Sequence, residues 1–286
     1  MSNNPSEFKS VFFNPVWSDK FYRFLQIIFH LYPENRFHYL IASKSKENST
    51  DEEIYTAVQK ELPKIKPFLS ELTFALPALR KQKKEMSGQV LQLLGDKKYI
   101  NGYLEIGSTG RYISELKKHI HLTGNIYLTN DIAPNNSVAD IFERGRIRKL
   151  GEFFPLHDYR PISTSQIPDE SIDLVTCHIG LHHCQPNLLE GYIKSIKRIL
   201  RTGGVFILRD HDVTTPDMAT FVSLVHTVFN LGLKVPWETD LSEFKSFKSI
   251  TEWSKIISSY GFKDSGERIL QDKDPSDNVL VSFTKL

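Results

Sequence analysis

The stretch YLEIGSTGRY, from Tyr103 to Tyr112, decides the fold of this chain. A short apolar run ends in the acid Glu105, a glycine turn follows, and apolar residues then recur at helical spacing, which together predict a strand, a turn and a helix. In such a turn the glycines let the backbone approach a ligand, and the start of the helix offers N–H groups. Glu105 can orient the loop or accept hydrogen bonds itself. The stretch therefore predicts a ligand-binding loop.

Strand patterns alternate with helix patterns after Lys97, which predicts a mostly parallel sheet covered on both faces. We predict strands at 102–106, 125–129, 153–156, 172–177 and 205–208, and an antiparallel pair at 263–270 and 278–284. We predict helices at about 110–121, 138–148, 186–200, 218–231 and 251–260. The expected fold class is α/β, a doubly wound sheet of seven strands preceded by a helical N-terminal domain.

The first third of the chain shows no strong strand pattern. We predict helices from apolar residues at helical spacing after Pro15, from the capping sequence 49–52 and from the run 78–94. The polar stretch 43–53 is predicted as a loop that leads into the capping sequence. We therefore predict two domains. Residues 1–95 form a helical domain that selects the substrate or acts as a lid, and residues 96–286 form the α/β domain.

The composition narrows the classes of function. Among 286 residues, 36 Lys and Arg balance 34 Asp and Glu to a net charge of +2, which argues against nucleic acid as a partner. There are two cysteines, and the first residues are polar, so we expect a cytoplasmic protein. The longest apolar stretch, 21–32, is too short to cross a bilayer, which needs about 20 residues, so no membrane partner is expected.

Ligands of an open parallel sheet bind at the carboxyl ends of its strands, so the residues that follow each predicted strand form the candidate site. These residues are Glu105, Gly107, Ser108, Gly110, Asp131, Asp158, Tyr159, His178 and the segment Arg209 to Asp212.

The order and spacing of these motifs resemble the class I methyltransferases that use S-adenosylmethionine. LEIGSTGRY is similar to the family's acid and glycine loop, SIDLVTCHIGLHH to its fourth-strand motif, and LRTGGVFILRDHD to its fifth-strand turn. The resemblance covers Tyr99 to Leu286. It implies a Rossmann-like domain that binds S-adenosyl-L-methionine as cofactor and transfers its methyl group to an acceptor.

The resemblance also implies roles for the candidate residues. Asp131, 26 residues after Glu105, takes the place of the acid that binds the ribose hydroxyls, and Asp158 with Tyr159 takes that of the pair near the adenine. His178, after the fourth strand, can touch the cofactor or the acceptor, and the alternative is that it fills the pocket wall. The glycine loop contains Glu105, Gly107, Ser108 and Gly110, one residue fewer than the family pattern, so we expect a tighter turn.

His211 follows the fifth strand, where an acceptor nucleophile would lie, and the pKa range of histidine suits a general base. The alternative is a loop histidine that pairs with Asp210 or Asp212 for structure. Asp212 can orient His211 or cap a following segment. Cysteines and histidines from Cys177 to Cys184 are of the types that bind zinc, but their spacing is not a paired-cysteine motif, and we expect no metal.

Other functions stay open at this level. The chain can bind the cofactor as a regulatory or scaffold protein without catalysis, or it can methylate RNA or protein. Basic residues at 80–84 and 144–149 can contact phosphate, although they lack the interleaved aromatic residues of a single-strand binding surface. A nicotinamide enzyme would carry GxGxxG, which this loop does not. A small-molecule acceptor is the favoured interpretation, and the oligomeric state is open.

Overall fold

A computed structural model describes residues 5–29, 32–65, 76–135, 137, 141, 144–145, 148 and 150–286. By contacts the chain divides into two compact units. The helical unit comprises Met1–Ala78, Val213–Lys245 and Asp272–Asn278. The sheet unit comprises Leu79–Asp212, Ser246–Gln271 and Val279–Leu286.

The described elements alternate as predicted after a helical first third. The helices are α1 Glu7–Phe12, α2 Pro15–Phe24, α3 Glu34–Glu47, α4 Asp51–Ile65, α5 Leu76–Leu94, α6 Ile113–Leu116, α7 Pro186–Ile199, α8 Pro216–Gly232, α9 Trp237–Ser242 and α10 Ile250–Ser259. The strands are β1 Tyr99–Ile106, β2 His121–Asn130, β3 Glu152–Pro155, β4 Ile172–Cys177, β5 Leu200–His211, β6 Phe262–Leu270 and β7 Asn278–Lys285. A π-helical turn, Leu25–Phe29, continues α2, and a 3₁₀ turn covers His157–Tyr159. Among the described helices, none has the length and apolar character needed to span a membrane.

The sheet unit is built on seven strands in the order β3-β2-β1-β4-β5-β7-β6. Strands β1, β2, β3, β4 and β5 pair in parallel, and β6 pairs with β7 antiparallel. The predicted fold class is therefore confirmed. From β1 the chain continues outward to β2 and β3 on one side, and from β4 it continues to β5 on the other side. The loops after β1 and β4 therefore lie at the switch point where α/β sheets bind ligands.

Alternating side chains of the central strands feed two apolar cores, one on each face. Leu104 and Ile106 of β1 are fully buried in one core, together with Ile193 and Ile196 of α7. Tyr103, which precedes Leu104 in sequence, faces the other core, which includes α5 and α6. Each fully buried aliphatic side chain stabilises the fold by roughly 1.5–3 kcal/mol, so the central strand is fixed from both faces.

Two predicted boundaries in the sheet unit are wrong. The helix after the glycine loop is one turn, Ile113–Leu116, because β2 begins at His121, which pairs with Tyr99. The predicted turn 201–204 lies inside β5, which follows α7 without a connecting residue. The Lys285 ammonium donates to the Leu200 carbonyl oxygen at 2.7 Å and anchors this junction. The helix predicted at 138–148 lies largely outside the described residues.

The first third also differs in detail. Residues 43–47, predicted as loop, complete α3, and α4 continues through Pro63 to Ile65. Helix α1 has no counterpart in the sequence prediction; the Ser6 hydroxyl caps it by accepting from the Lys9 N–H at 3.1 Å. The prediction that this part of the chain is helical is confirmed for the described residues.

The helical unit differs from the predicted domain 1–95 because it ends earlier, at Ala78, and includes two later segments. Helix α5 groups with the sheet unit, since Met86 and Val90 pack in the core that contains Tyr103. Helix α8 groups with the helical unit, where Phe221 lies 6.0 Å from Phe21 between ring centroids. Sequence order alone does not reveal that a segment after β5 returns to the first unit.

Candidate active site

The glycine loop is held by its own side chains. The Ser108 hydroxyl accepts hydrogen bonds from the Gly110 and Arg111 N–H groups, both at 3.0 Å, and donates to the Glu105 carboxylate. Gly107 and Gly110 have φ values of 83° and 100°, which favour glycine. The tight turn predicted from the missing residue is thus stabilised from within, since two of its N–H groups are directed to Ser108.

Glu105 is fully buried and serves the loop. Its carboxylate accepts from the Tyr103 hydroxyl at 3.0 Å and from the Tyr112 N–H at 3.4 Å, in addition to Ser108. Burial raises the pKa of Glu105, and these hydrogen bonds oppose the shift. The Tyr103 hydroxyl also lies 2.7 Å from the Thr176 hydroxyl on β4. Both roles open to Glu105 from the sequence are observed, since it accepts hydrogen bonds and these bonds orient the loop.

The acids after β2 and β3 lie where the motifs predict. Asp131 is exposed directly after β2, and Asp158 is exposed in the 3₁₀ turn after β3. His157, Asp158 and Tyr159 have φ values of 49°, 54° and 64°, a left-handed run that costs roughly 1–2 kcal/mol per residue. Tyr159 is buried, and its hydroxyl donates to the Gly180 carbonyl oxygen at 3.0 Å, which fixes this turn to the loop after β4.

His178 follows β4 and packs against the glycine loop. Its ring lies 4.3 Å from that of Tyr112 between centroids. The side chain is buried, and within the described part of the chain neither ring nitrogen has a hydrogen-bond partner. Burial, followed by the positive charges of Arg209 and Arg111, lowers the pKa of His178 to about 3. His178 is therefore a neutral imidazole with one donor and one acceptor nitrogen at the sheet edge.

Asp210, near the end of β5, accepts hydrogen bonds from groups that follow β4 and from the end of β5 itself. One carboxylate oxygen accepts from the Leu181 N–H at 2.7 Å, and the other lies 2.7 Å from His182 Nδ1 and accepts from the His211 N–H at 2.8 Å. Burial raises the pKa of Asp210, and the neighbouring His211 and the N–H donors oppose that shift. Asp210 therefore pairs with His182 through the side chain and with His211 through the backbone.

His211 is the last residue of β5 and is buried. Its ring lies 5.5 Å from the His182 ring between centroids. Asp212 accepts from the Ile250 N–H at 2.9 Å, so it pairs with the first N–H group of α10, a helix whose N-cap is Ser249. The structure thus brings His211 and His182 together, with Asp210 between β5 and the loop after β4.

The two cysteines considered for zinc binding and Arg144, considered for phosphate binding, are buried. Cys177 and Cys184 are buried, and burial raises the pKa of each thiol, to about 12 for Cys184, which disfavours the thiolate form that binds zinc. The guanidinium of Arg144 is buried and donates to the Asn135 carbonyl oxygen at 2.8 Å. Arg146 and Lys149 lie outside the described residues.

S-adenosylmethionine fits the residues at this edge. A buried imidazole without a partner costs about 1–3 kcal/mol, which a polar group of a ligand beside His178 would recover. A Cβ atom on Gly107 would lie 2.3 Å from the Ile179 side chain, so the loop and the segment after β4 approach as closely as glycine permits. The exposed carboxylate of Asp131 offers two acceptor oxygens of the kind that a ribose diol requires.

Comparison with known proteins agrees with this geometry. Residues 104–208 match the family model described as a methyltransferase domain. The structure of the mitomycin 7-O-methyltransferase MmcR has 14% sequence identity and a TM-score of 0.50, with 95% of this chain and 72% of that chain covered. The 1,6-didemethyltoxoflavin-N1-methyltransferase of Burkholderia thailandensis has 12% identity and a TM-score of 0.46, with 73% of this chain and 78% of that chain covered. No curated protein matches in sequence.

The fold and the matched domain define a class I methyltransferase. Residues 104–208 carry the methyltransferase domain, which indicates an S-adenosylmethionine-dependent methyltransferase with S-adenosyl-L-methionine as its cofactor. The resemblance stated from the sequence motifs is confirmed, and it replaces the nicotinamide alternative.

Sequence reasoning missed the pairing of His182 with Asp210. The signal was present, because β4 and β5 are neighbours in the sheet and residues that follow neighbouring parallel strands meet at one edge. His182 follows β4 and Asp210 lies at the end of β5, so their proximity follows from the topology. From the sequence, His182 is a candidate only for metal binding.

Proposed function

We propose that this enzyme methylates a small molecule whose acceptor atom carries a proton, such as a hydroxyl oxygen. The observation that carries the proposal is the buried pair of His182 Nδ1 and Asp210, 2.7 Å apart at the carboxyl end of the sheet. The near balance of charge over the chain, +2 in total, favours a small acceptor over RNA.

The pair is suited to general-base catalysis. When Nδ1–H of His182 donates to the Asp210 carboxylate, Nε2 carries the lone pair and can take a proton from the acceptor. The carboxylate then stabilises the imidazolium that forms. His211, the sequence-based candidate, is the second candidate for this role, since its ring lies 5.5 Å from that of His182. When bound, S-adenosylmethionine supplies a methyl group on a positively charged sulfur, and much of the rate comes from holding the acceptor in line with it.

For the cofactor we propose the sites implied by the motifs. Asp131 binds the ribose hydroxyls, Asp158 and Tyr159 lie at the adenine, and His178 donates to or accepts from the amino-acid part. The loop 107–110 surrounds the same part, with Glu105 and Ser108 as its support. We further propose that the helical unit selects the acceptor, the role expected for the N-terminal domain.

Calorimetry with S-adenosylmethionine and S-adenosylhomocysteine tests the cofactor assignment. Loss of both ribose hydrogen bonds in Asp131→Ala should weaken binding by roughly 10- to 100-fold. The matched control is Asp96→Ala, which removes another exposed aspartate, in the turn before β1 and thus at the opposite end of that strand from the glycine loop. Equal binding by Asp131→Ala would contradict the ribose assignment. Binding without any turnover would favour the regulatory or scaffold alternative.

The acceptor class requires a separate experiment. Radiolabelled methyl transfer to a cell lysate, followed by separation into protein, RNA and small-molecule fractions, should place the label in the small molecules. Label in RNA or protein would refute the small-molecule acceptor and would leave the cofactor assignment unaffected.

A further inference from the structure

A cavity of about 170 Å³ lies in the sheet unit beneath β3. Its walls come from β2, β3, the segment after β3 and α7. Between β3 and β4 the chain contains a 3₁₀ turn and irregular segments rather than a helix over residues 156–171, which leaves this space open. None of the residues assigned to the cofactor or the acceptor lines the cavity, although Asp158 and Tyr159 directly follow His157, which does. Nothing in the proposed reaction uses the cavity.

The inner end of the cavity carries two hydroxyl groups. Thr129 is fully buried and Tyr192 is 1% exposed, and both line the cavity. In the described part of the chain, neither Thr129 Oγ1 nor the Tyr192 hydroxyl has a hydrogen-bond partner. Burial raises the pKa of Tyr192 well above its usual range, so this hydroxyl stays a neutral donor. Buried hydroxyls are normally paired, so these two indicate an occupant with a polar group at its inner end.

The walls of the cavity are apolar and its mouth carries a cation, in contrast to the hydroxyl groups at its inner end. Phe154, Leu156 and Ile162 provide apolar walls. Arg160 lines the cavity and is exposed, and among the described residues its side chain takes part in no hydrogen bond or ion pair. An arginine fork binds a carboxylate with two parallel hydrogen bonds. The cavity thus has a cation at its mouth, apolar walls and hydroxyls at its end.

The volume of the cavity limits the size of the molecule that it can hold. A dry cavity of roughly 150 Å³ binds benzene, so 170 Å³ holds one six-membered ring with small substituents. We propose that this cavity is a binding site for a small aromatic carboxylate that bears a ring hydroxyl. The carboxylate meets Arg160, the ring lies between the apolar walls, and the hydroxyl exchanges hydrogen bonds with Thr129 and Tyr192.

The test compares two probes, 4-hydroxybenzoate and benzoate, by calorimetry on the full chain. Wild type should bind 4-hydroxybenzoate roughly three- to tenfold more tightly than benzoate, because only the first satisfies the inner hydroxyls. Arg160→Ala should weaken both probes by a similar factor. Arg36→Ala, which removes an exposed arginine of the helical unit, is the charge control and should change neither.

A second variant isolates the inner end. Thr129→Val with Tyr192→Phe should abolish the preference for 4-hydroxybenzoate while benzoate still binds, and retained benzoate affinity shows that the variant is folded. If that variant does not fold, the wild-type preference and the effect of Arg160→Ala decide the question by themselves. No saturable binding at millimolar probe, equal affinity for both probes, or an unchanged affinity in Arg160→Ala would overturn the proposal. Displacement of the probe by S-adenosylhomocysteine would also overturn it, because the probe would then occupy the cofactor site.

Discussion

Substitution of Gly107 by alanine tests how the glycine loop is held. Gly107 has a φ of 83°, and a Cβ atom there would lie 2.3, 2.6 and 2.8 Å from three side-chain carbons of Ile179. Gly203 has a φ of 77° and no atom within 4 Å of its Cβ position. The two glycines thus have similar backbones and differ in the space around them, which makes Gly203→Ala a matched control.

The expected loss in the free energy of unfolding has two contributions, the left-handed backbone and the contact with Ile179. A left-handed backbone costs an L-residue roughly 1–2 kcal/mol, so Gly203→Ala should lower the free energy of unfolding by about that amount. Overpacking adds about 1–3 kcal/mol, so Gly107→Ala should cost about 2–5 kcal/mol. Because the contact atoms all belong to the half-buried Ile179 side chain, Ile179→Ala should remove the second term. In that background Gly107→Ala should cost no more than Gly203→Ala does in wild type.

Urea unfolding measures these differences, and the m value checks that each variant unfolds as wild type does. Calorimetry with S-adenosylhomocysteine provides a second readout, in which Gly107→Ala should weaken binding and Gly203→Ala should not. Equal unfolding costs for the two glycines would refute the steric argument. Failure of Ile179→Ala to relieve Gly107→Ala would refute the identity of the contact.

Two further predictions concern the histidines. His182→Gln should lower turnover by roughly 10²–10⁴-fold, with affinity for S-adenosylhomocysteine close to wild type; a loss of this size in His211→Ala, with His182→Gln still active, would instead assign the base to His211. His178 has a pKa lowered to about 3, so the unfolded chain binds its proton first as the pH falls below the ordinary value of 6.5. Wild type should therefore lose about 1.4 kcal/mol per pH unit from this group between those values, and His178→Asn should lose correspondingly less. Parallel pH dependence of urea unfolding in the two proteins would contradict the burial of a neutral imidazole.

The alternation of strands and helices, and hence the fold class, followed from the sequence because period and turn residues are local properties. Strand β4 was predicted at its observed bounds, Ile172–Cys177, since this mainly apolar run lies between the acids Asp169 and Glu170 and the turn at Gly180. The single turn of α6 was not predictable in this way. Its apolar spacing continues to Leu122, but strand pairing of β2 with β1 takes those residues into the sheet, and such pairing is a tertiary effect.

The site was predictable to the extent that topology places strand ends together. Asp131, Asp158 and His178 occupy the predicted edge, while hydrogen-bond partners depend on side-chain geometry that spacing does not encode. Thus Ser108, predicted at a ligand, accepts hydrogen bonds from N–H groups of its own loop, and Asp210, predicted beside His211, also contacts the His182 side chain. Short-range sequence neighbours were favoured over partners across the sheet.

The direct passage from α7 into β5 has a consequence for the register of that strand. Helix α7 ends at Ile199 and β5 begins at the next residue, Leu200. Lys285 holds this junction by donating to the Leu200 carbonyl oxygen. With no connecting residue to absorb a change in length, an insertion or deletion at this junction would displace the register of β5 against β4, and β5 carries Asp210 and His211 at its end.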